Sequence, residues 1–442
     1  MTETLRTLGL ATLGLAALPL IATPALAKDA SKDFLRSAKR NDAAGMIAAA
    51  EKLAQSPSKK GVKVLVSVGA MIPNLDVYRA CRNALGAAKT GKPRAELLKL
   101  LKKAHKMEQR VLCVDGLGAS ADPSAIPPLT EALEDKSKAV RMSAIRALNR
   151  IEHKDCVEPL FTRLSKVGFD SGDAEAEELY GVLHRLTGKA FENLDDWKKW
   201  WSVAKADFDP RKQRNQPEQS TRTRKTAGKI FESVVRSQDF VLVLDISSSM
   251  RVIDLPRGKT VKSPKTGNPI TYKDPDPSGQ KRPDKSSRFK KAQEAFIKLI
   301  GGLNSHAKFA VVVFASKKET QLYGGKPVLM PATASNKKKV IKWIEGLKWG
   351  PATRTDLALD LAFKVRGADS IYLFSDGIPE MLKSGKNKDI PVDEILKKAR
   401  TLNRARKVKL HCYAITSNPS TQKFLRQLAA ENGGEFKDIR AR

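Results

Sequence analysis

The run Asp239-Phe240-Val241-Leu242-Val243-Leu244-Asp245-Ile246-Ser247-Ser248-Ser249 decides how the C-terminal half folds. Its apolar core is unbroken and rich in valine and leucine, as in a strand covered on both faces, and a D-x-S-x-S turn follows it. The same alternation continues downstream. Arg288 to Leu303 has the spacing of an amphipathic helix, Phe309 to Phe314 reads as a second buried strand, and Lys337 to Leu347 and Asp356 to Lys364 read as helices. Ile371 to Phe374 and Lys409 to Ile415 read as further strands, Thr421 to Glu431 as the last helix, and a short strand is expected near Phe436. Buried strands alternating with helices predict an α/β fold with a doubly wound, mostly parallel sheet. The stretch 251–285 interrupts this order. It is rich in Pro, Gly and Lys and is expected to be a surface insertion, with a hairpin around Thr266-Gly267-Asn268.

Upstream, from about Ser31 to Phe208, apolar residues recur at three and four spacing with short Pro, Gly and Asp breaks. Part of this region repeats. Ile126-Pro127-Pro128-Leu129 has a counterpart in Val157-Glu158-Pro159-Leu160, and Ala144, Ile145 and Leu148 occupy the places of Cys113, Val114 and Leu117. Paired helices at a period of about 30 to 40 residues predict an α-solenoid, and the pattern resembles HEAT-type repeats. Trp197, Trp200 and Trp201 share one helix. They read as a packing cluster in preference to a stacking platform, because their spacing is helical. The stretch 209–229 is basic, polar and almost without apolar residues, so it reads as a linker that leaves residues 28–208 separable from 230–442.

The chain has 442 residues and a formal net charge of +33; 41% of residues are hydrophobic and 29% charged. That composition belongs to folded domains, and its positive field suits acidic polysaccharide, anionic surfaces, nucleic acid or acidic proteins. Leu8 to Ala22 is apolar and followed by Ala25-Leu26-Ala27, the pattern of a signal peptide over residues 1–27, which predicts a secreted or periplasmic protein beginning at Lys28. Cys81, Cys113, Cys156 and Cys412 form no C-x-x-C pair and are expected to be buried thiols.

Three loops carry the candidate chemistry: Asp245-Ile246-Ser247-Ser248-Ser249, Gly350-Pro351-Ala352-Thr353 before a helix, and Phe374-Ser375-Asp376-Gly377 after a strand. In an open α/β sheet such positions meet at the carboxyl edge. Two carboxylates and three hydroxyls make a hard, all-oxygen set that suits Mg²⁺, Mn²⁺ or Ca²⁺. In order and strand context the loops resemble the von Willebrand factor A family, over about Phe231 to Ile439, including the ending Asn432-Gly433-Gly434-Glu435-Phe436. The resemblance implies a metal-ion-dependent adhesion site made by Asp245, Ser247, Ser249, Thr353 and Asp376. It also implies a protein partner whose acidic residue completes the metal shell. Pro351-Ala352 stands where the family usually has glycines, and Thr355 competes with Thr353 for its role. The chain has no P-loop, H-E-x-x-H or G-x-S-x-G, so the expectation is a binding, adhesion or scaffold protein and not an enzyme. The alternatives are a polyanion binder driven by charge, or a non-catalytic accessory of an enzyme.

Overall fold

The computed structural model describes residues 24–213, 227–230, 233–251, 287–415 and 418–439. The predicted insertion after Arg251, most of the linker and the leader up to residue 23 lie outside these residues.

The N-terminal region is all-helical, as expected. Its α-helices are α1 (Pro24–Lys39), α2 (Ala43–Gln55), α3 (Lys59–Ser67), α4 (Leu75–Gly86), α5 (Gly91–Lys103), α6 (Met107–Ala119), α7 (Ile126–Ala132), α8 (Lys138–Ile151), α9 (Val157–Val167), α10 (Ala174–Thr187) and α11 (Leu194–Ala204). α1 starts at Pro24 and runs through the predicted cleavage point between Ala27 and Lys28. Side chains cap the early helices where the sequence offers them: Asp42 accepts from the Gly45 amide and Ser58 from that of Gly61, which satisfies end donors no intrahelical carbonyl can reach. α2, α4, α6, α8 and α10 pack in succession as one layer, with α3, α5, α7 and α9 against it. Cys113, Val114, Leu117, Ala144, Ile145 and Leu148 are all fully buried between stacked helices, the places the repeat assigned them, and the Cys81 thiol is fully buried as well.

The layer is close-packed where α6 meets α8. A Cβ on Gly118 would lie 2.6 Å from the Ala147 Cβ and 2.8 Å from the Ala147 Cα. Backbone cannot move aside as a flexible side chain can. Gly118→Ala should therefore destabilise the helical region by about 2 kcal/mol despite alanine's better helix propensity, as overpacking does. Denaturant unfolding of the full chain measures it, and an unchanged midpoint would mean that the helices separate freely. At the far end Trp197 is fully buried and makes edge contacts with Phe161 at 5.3 Å and Tyr180 at 5.2 Å. Trp200 and Trp201 pack on Phe208. The tryptophans therefore close the solenoid as a core.

The C-terminal region opens with an antiparallel pair, β1 (Gly228–Ile230) with β2 (Ser233–Val235), and β1 starts inside the stretch read as linker. Then follow β3 (Asp239–Asp245), α12 (Arg288–Gly302), β4 (Lys308–Phe314), β5 (Gln321–Leu322), β6 (Met330–Pro331), α13 (Ala334–Glu345), α14 (Thr355–Lys364) and β7 (Ser370–Ser375). After them come β8 (Glu380–Lys383), β9 (Lys386–Asp389), α15 (Val392–Asn403), β10 (Lys409–Ala414), α16 (Pro419–Glu431) and β11 (Phe436–Asp438). The main sheet runs β11-β10-β7-β3-β4-β5, with β6 also on β4; β11, β10, β7, β3 and β4 are parallel, and β5 and β6 are antiparallel. Successive residues of β3 feed opposite cores. Phe240, Leu242 and Leu244 pack with residues of α12 and α13, and Val241 and Val243 with residues of α14, α15 and α16. This two-sided burial is why β3 has no polar residue between Phe240 and Leu244. The chain leaves β3 for β4 on one side and later returns through β7 on the other, so a crevice opens at the carboxyl ends of β3 and β7.

The two regions share an interface built on exchanged charges. Lys138 of α8 reaches Asp369, Asp173 at 2.9 Å and Asp239 at 3.6 Å. In the other direction Lys407, after α15, reaches Asp115 of α6 at 2.9 Å, and Asp115 also takes the Tyr78 hydroxyl. Ala405 is buried within the helical region's core. The expectation of separable domains thus meets a structure in which Lys138 reaches two carboxylates of the C-terminal region, Asp239 and Asp369, and Lys407 reaches Asp115 of the helical region. Among the described residues, no helix is long and apolar enough to cross a membrane.

Candidate metal centre

The three loops expected to meet do so. Backbone pairing draws the first two together: the Gly350 amide donates to the Ile246 carbonyl at 2.8 Å, and Ser247 forms a parallel bridge with Gly350. Arg251 of the first loop also lies 4.3 Å from the centre of the Trp349 ring, a cation–π contact beside that bridge. A bridge between Thr353 and Glu380 ties the second loop to the segment after the third. At Ala352 the chain takes a left-handed backbone, φ +63°, which explains why glycine suits this place; here alanine adopts it, with the methyl buried.

The side chains of the first and third loops form one hydrogen-bonded line. Ser249 Oγ donates to Asp376 Oδ1 at 2.7 Å, and Ser247 Oγ lies 2.9 Å from Ser249 Oγ. A hydroxyl has one proton, and that of Ser249 goes to the carboxylate, so Ser247 donates to Ser249. Asp245 is fully buried; its Oδ1 accepts the Ser247 amide at 2.8 Å and its Oδ2 accepts the Ser375 hydroxyl. Thr353 closes the circle less directly. A Cβ on Gly377 would lie 3.2 Å from Thr353 Oγ1 and 3.5 Å from Ser249 Oγ, so the third loop runs in contact with both hydroxyls.

Burial is the main reason that the Asp245 carboxyl is pushed up to about 7. The charge of Asp376 adds to it, and the hydrogen bonds from Ser247 and Ser375 oppose it. Two residues that the sequence did not single out complete the surroundings. Arg288, at the start of α12, places Nη1 2.8 Å from Asp376 Oδ2, with both side chains buried. Ser375 supplies the hydroxyl that orients Asp245. Ser375 was legible in the quoted loop as the residue beside Asp376. Arg288 was hidden in a helix whose apolar spacing explains its neighbours and not itself.

The donor set fits a hard divalent cation. It contains carboxylate and hydroxyl oxygens with no sulfur or imidazole. Thr355 Oγ1, two residues beyond Thr353, is a buried oxygen with no hydrogen-bond partner among the described residues. A second acidic group, Asp173, Asp239 and Asp369, also brings carboxylate oxygens within 4.8 Å of one another. Asp239 opens β3 and Asp245 ends it, so the two groups lie roughly 20 Å apart at opposite ends of the strand. In the second group Lys138 already supplies the cation, and its three carboxylates raise its pKa although burial alone would lower it.

Comparison with known families agrees with this architecture. Residues 94–167 match HEAT repeats, and residues 281–438 match the von Willebrand factor type A domain. The chain carries a von Willebrand factor type A domain. The matched stretch of this domain contains Thr353 and Asp376, while Asp245, Ser247 and Ser249 precede it. Among solved structures, a von Willebrand factor type A protein from Catenulispora acidiphila is 17% identical over 47% of this chain and 40% of that one, with a TM-score of 0.31. The pilus adhesin SpaC from Lactobacillus rhamnosus GG, in an open conformation, is 11% identical over 46% and 28%, with a TM-score of 0.31. A variant of the PilB minor pilin from Streptococcus sanguinis is 15% identical over 50% and 59%, with a TM-score of 0.31. In each case the chain spans less than two thirds of the other protein's length.

Proposed function

We propose that the chain is an exported binding protein, an adhesin or scaffold, and not an enzyme. Its von Willebrand factor type A domain grips an acidic group on a partner protein through a bound divalent ion, Mg²⁺ or Mn²⁺. The observation that carries this reading is the line Ser247–Ser249–Asp376 beside buried Asp245, at the crevice where β3 and β7 end. Asp245, Ser247, Ser249, Thr353 and Asp376 would hold the ion, directly or through water. The ion supplies a positive centre for an anionic ligand; the protein's own residues fix the oxygens, keep them hydrogen-bonded and limit access to a sheet edge. The apolar stretch Leu8 to Ala22 supports export. HEAT repeats give the protein a second surface for partners.

Isothermal calorimetry with Mn²⁺ and Mg²⁺ tests the centre, and capture of acidic partner proteins with and without chelator tests its use. Proton competition gives the test a sign. A divalent ion needs ionised Asp245, and that carboxyl holds its proton up to about 7. Affinity should be greatest above pH 7 and fall as the pH drops below it, by about tenfold per unit where one proton competes. A flat profile between pH 6 and 8 would remove Asp245 from the binding site. The net charge of +33 supports a second reading, capture of a polyanion by charge alone. In that case binding weakens steeply with salt and ignores chelator.

A further inference from the structure

We propose that Arg288 competes with the divalent ion for Asp376 and so sets how tightly the centre holds metal. This rests on the metal reading above. Three features of the structure support it. Arg288 and Asp376 are each only 4% exposed, and the guanidinium donates to Oδ2 at 2.8 Å. The other oxygen, Oδ1, takes the Ser249 hydroxyl, so both oxygens of Asp376 already have a donor. Arg288 is also anchored from behind. It is the first residue of α12, which Ser287 caps by accepting the Lys290 amide, and Phe289 beside it is buried in the core.

An arginine in such a place cannot leave the contest by losing its proton. A divalent ion arriving at Asp376 must share the carboxylate with the guanidinium or push it aside. Either way two positive groups come together where water screens them poorly. The same charge has a second consequence. Asp245, Asp376 and Arg288 together carry one net negative charge, so a bound divalent ion leaves one net positive charge. A carboxylate from the partner cancels it. Without Arg288 the ion and the two aspartates would already balance, and the centre would have less use for an acidic ligand. Arg288 thus weakens the hold on bare metal and favours an anionic last ligand.

The test is Mn²⁺ calorimetry at pH 8 on the full chain, comparing wild type with Arg288→Gln and Arg288→Lys. Arg288→Gln should bind Mn²⁺ at least about tenfold more tightly, and Arg288→Lys, which keeps the charge, should stay close to wild type. Melting curves guard against misfolding. Without divalent ion Arg288→Gln should melt below wild type, because Asp376 loses the guanidinium that pairs with Oδ2, and added Mn²⁺ should raise it by more than it raises wild type. Equal or weaker Mn²⁺ binding by Arg288→Gln, with wild-type binding intact, overturns the proposal and makes Arg288 a residue that merely positions Asp376. If neither protein binds Mn²⁺, the metal reading falls and this inference falls with it.

Discussion

Lys407→Met should destabilise the full chain by about 3 kcal/mol, because it strands a buried carboxylate at the interface of the two regions. Asp115 is 3% exposed, and its pKa is held below the usual carboxylate range. Burial would raise it; Lys407 and then Arg150 outweigh that, helped by the Tyr78 hydroxyl. Lys407 fares less well, for its burial lowers its own pKa in spite of Asp115. The pair as a whole therefore adds little, but breaking it on one side is expensive. The low end of the range for such losses applies, since the Lys407 side chain keeps 18% of its exposure and Arg150 remains 3.7 Å from Asp115. Lys407 also sits in a left-handed backbone, φ +59°, which methionine must keep, so the exchange isolates the charge. Denaturant unfolding of the single variant, Asp115→Asn, and the double variant completes a cycle. The double variant should recover to within about 1 kcal/mol of wild type, because asparagine can still accept from Tyr78 and the cation left behind, Arg150, keeps 40% of its side-chain exposure to water. Strict additivity would mean that the two residues do not interact.

That interface was not legible in the sequence, and the reason is physical. Lys138 and Lys407 stand in a chain of 81 Lys and Arg residues, and nothing local separates a buried lysine from a solvated one. Their partners lie 231 and 292 residues away, beyond any periodic pattern. Elements that bury a regular face were readable instead. β3 announced itself by an unbroken apolar run, and α8 by Ala144, Ile145 and Leu148. The short strands β5, β6, β8 and β9 were missed: none exceeds four residues, β6 and β8 bury no residue, and β5 buries the single apolar residue Leu322, too little to set a pattern. In the candidate metal centre the oxygen donors were readable, because their places after strands are local. The cation facing them was not. Arg288 sits one residue before Phe289, whose burial explains the helix. Its effect is to make Asp376→Ala a poor probe of the centre, since that change leaves a guanidinium buried as well as removing a candidate ligand.

Asp245→Asn is the better probe, and its two effects should have opposite signs. Without divalent ion it should stabilise the domain at pH 8, by about 2 to 4 kcal/mol. The folded protein holds the Asp245 carboxyl at about 7, against 3.8 when exposed to water. A raised carboxyl contributes stability in full below the lower value, and that contribution is lost as the pH climbs through the upper one. At pH 8 the folded state bears the whole loss, and asparagine has no charge to bury. The amide also fits the hydrogen bonds already present. Its oxygen can accept the Ser247 amide, and its nitrogen can donate to Ser375 Oγ once that hydroxyl turns. With divalent ion the order should invert. Wild type gains about 4.1 kcal/mol when the free ion is a thousandfold above its dissociation constant, and Asp245→Asn, lacking a charged ligand, gains almost none. Melting curves at pH 5 and pH 8, each with and without Mn²⁺, separate the two effects. At pH 5 Asp245 is mostly protonated in the folded wild type, so the advantage of asparagine should shrink and the Mn²⁺ gain of wild type should shrink with it. A variant that melts below wild type at pH 8 without Mn²⁺ would mean that Asp245 is a well-compensated structural carboxylate, and the case for a cation beside it would lose its electrostatic basis.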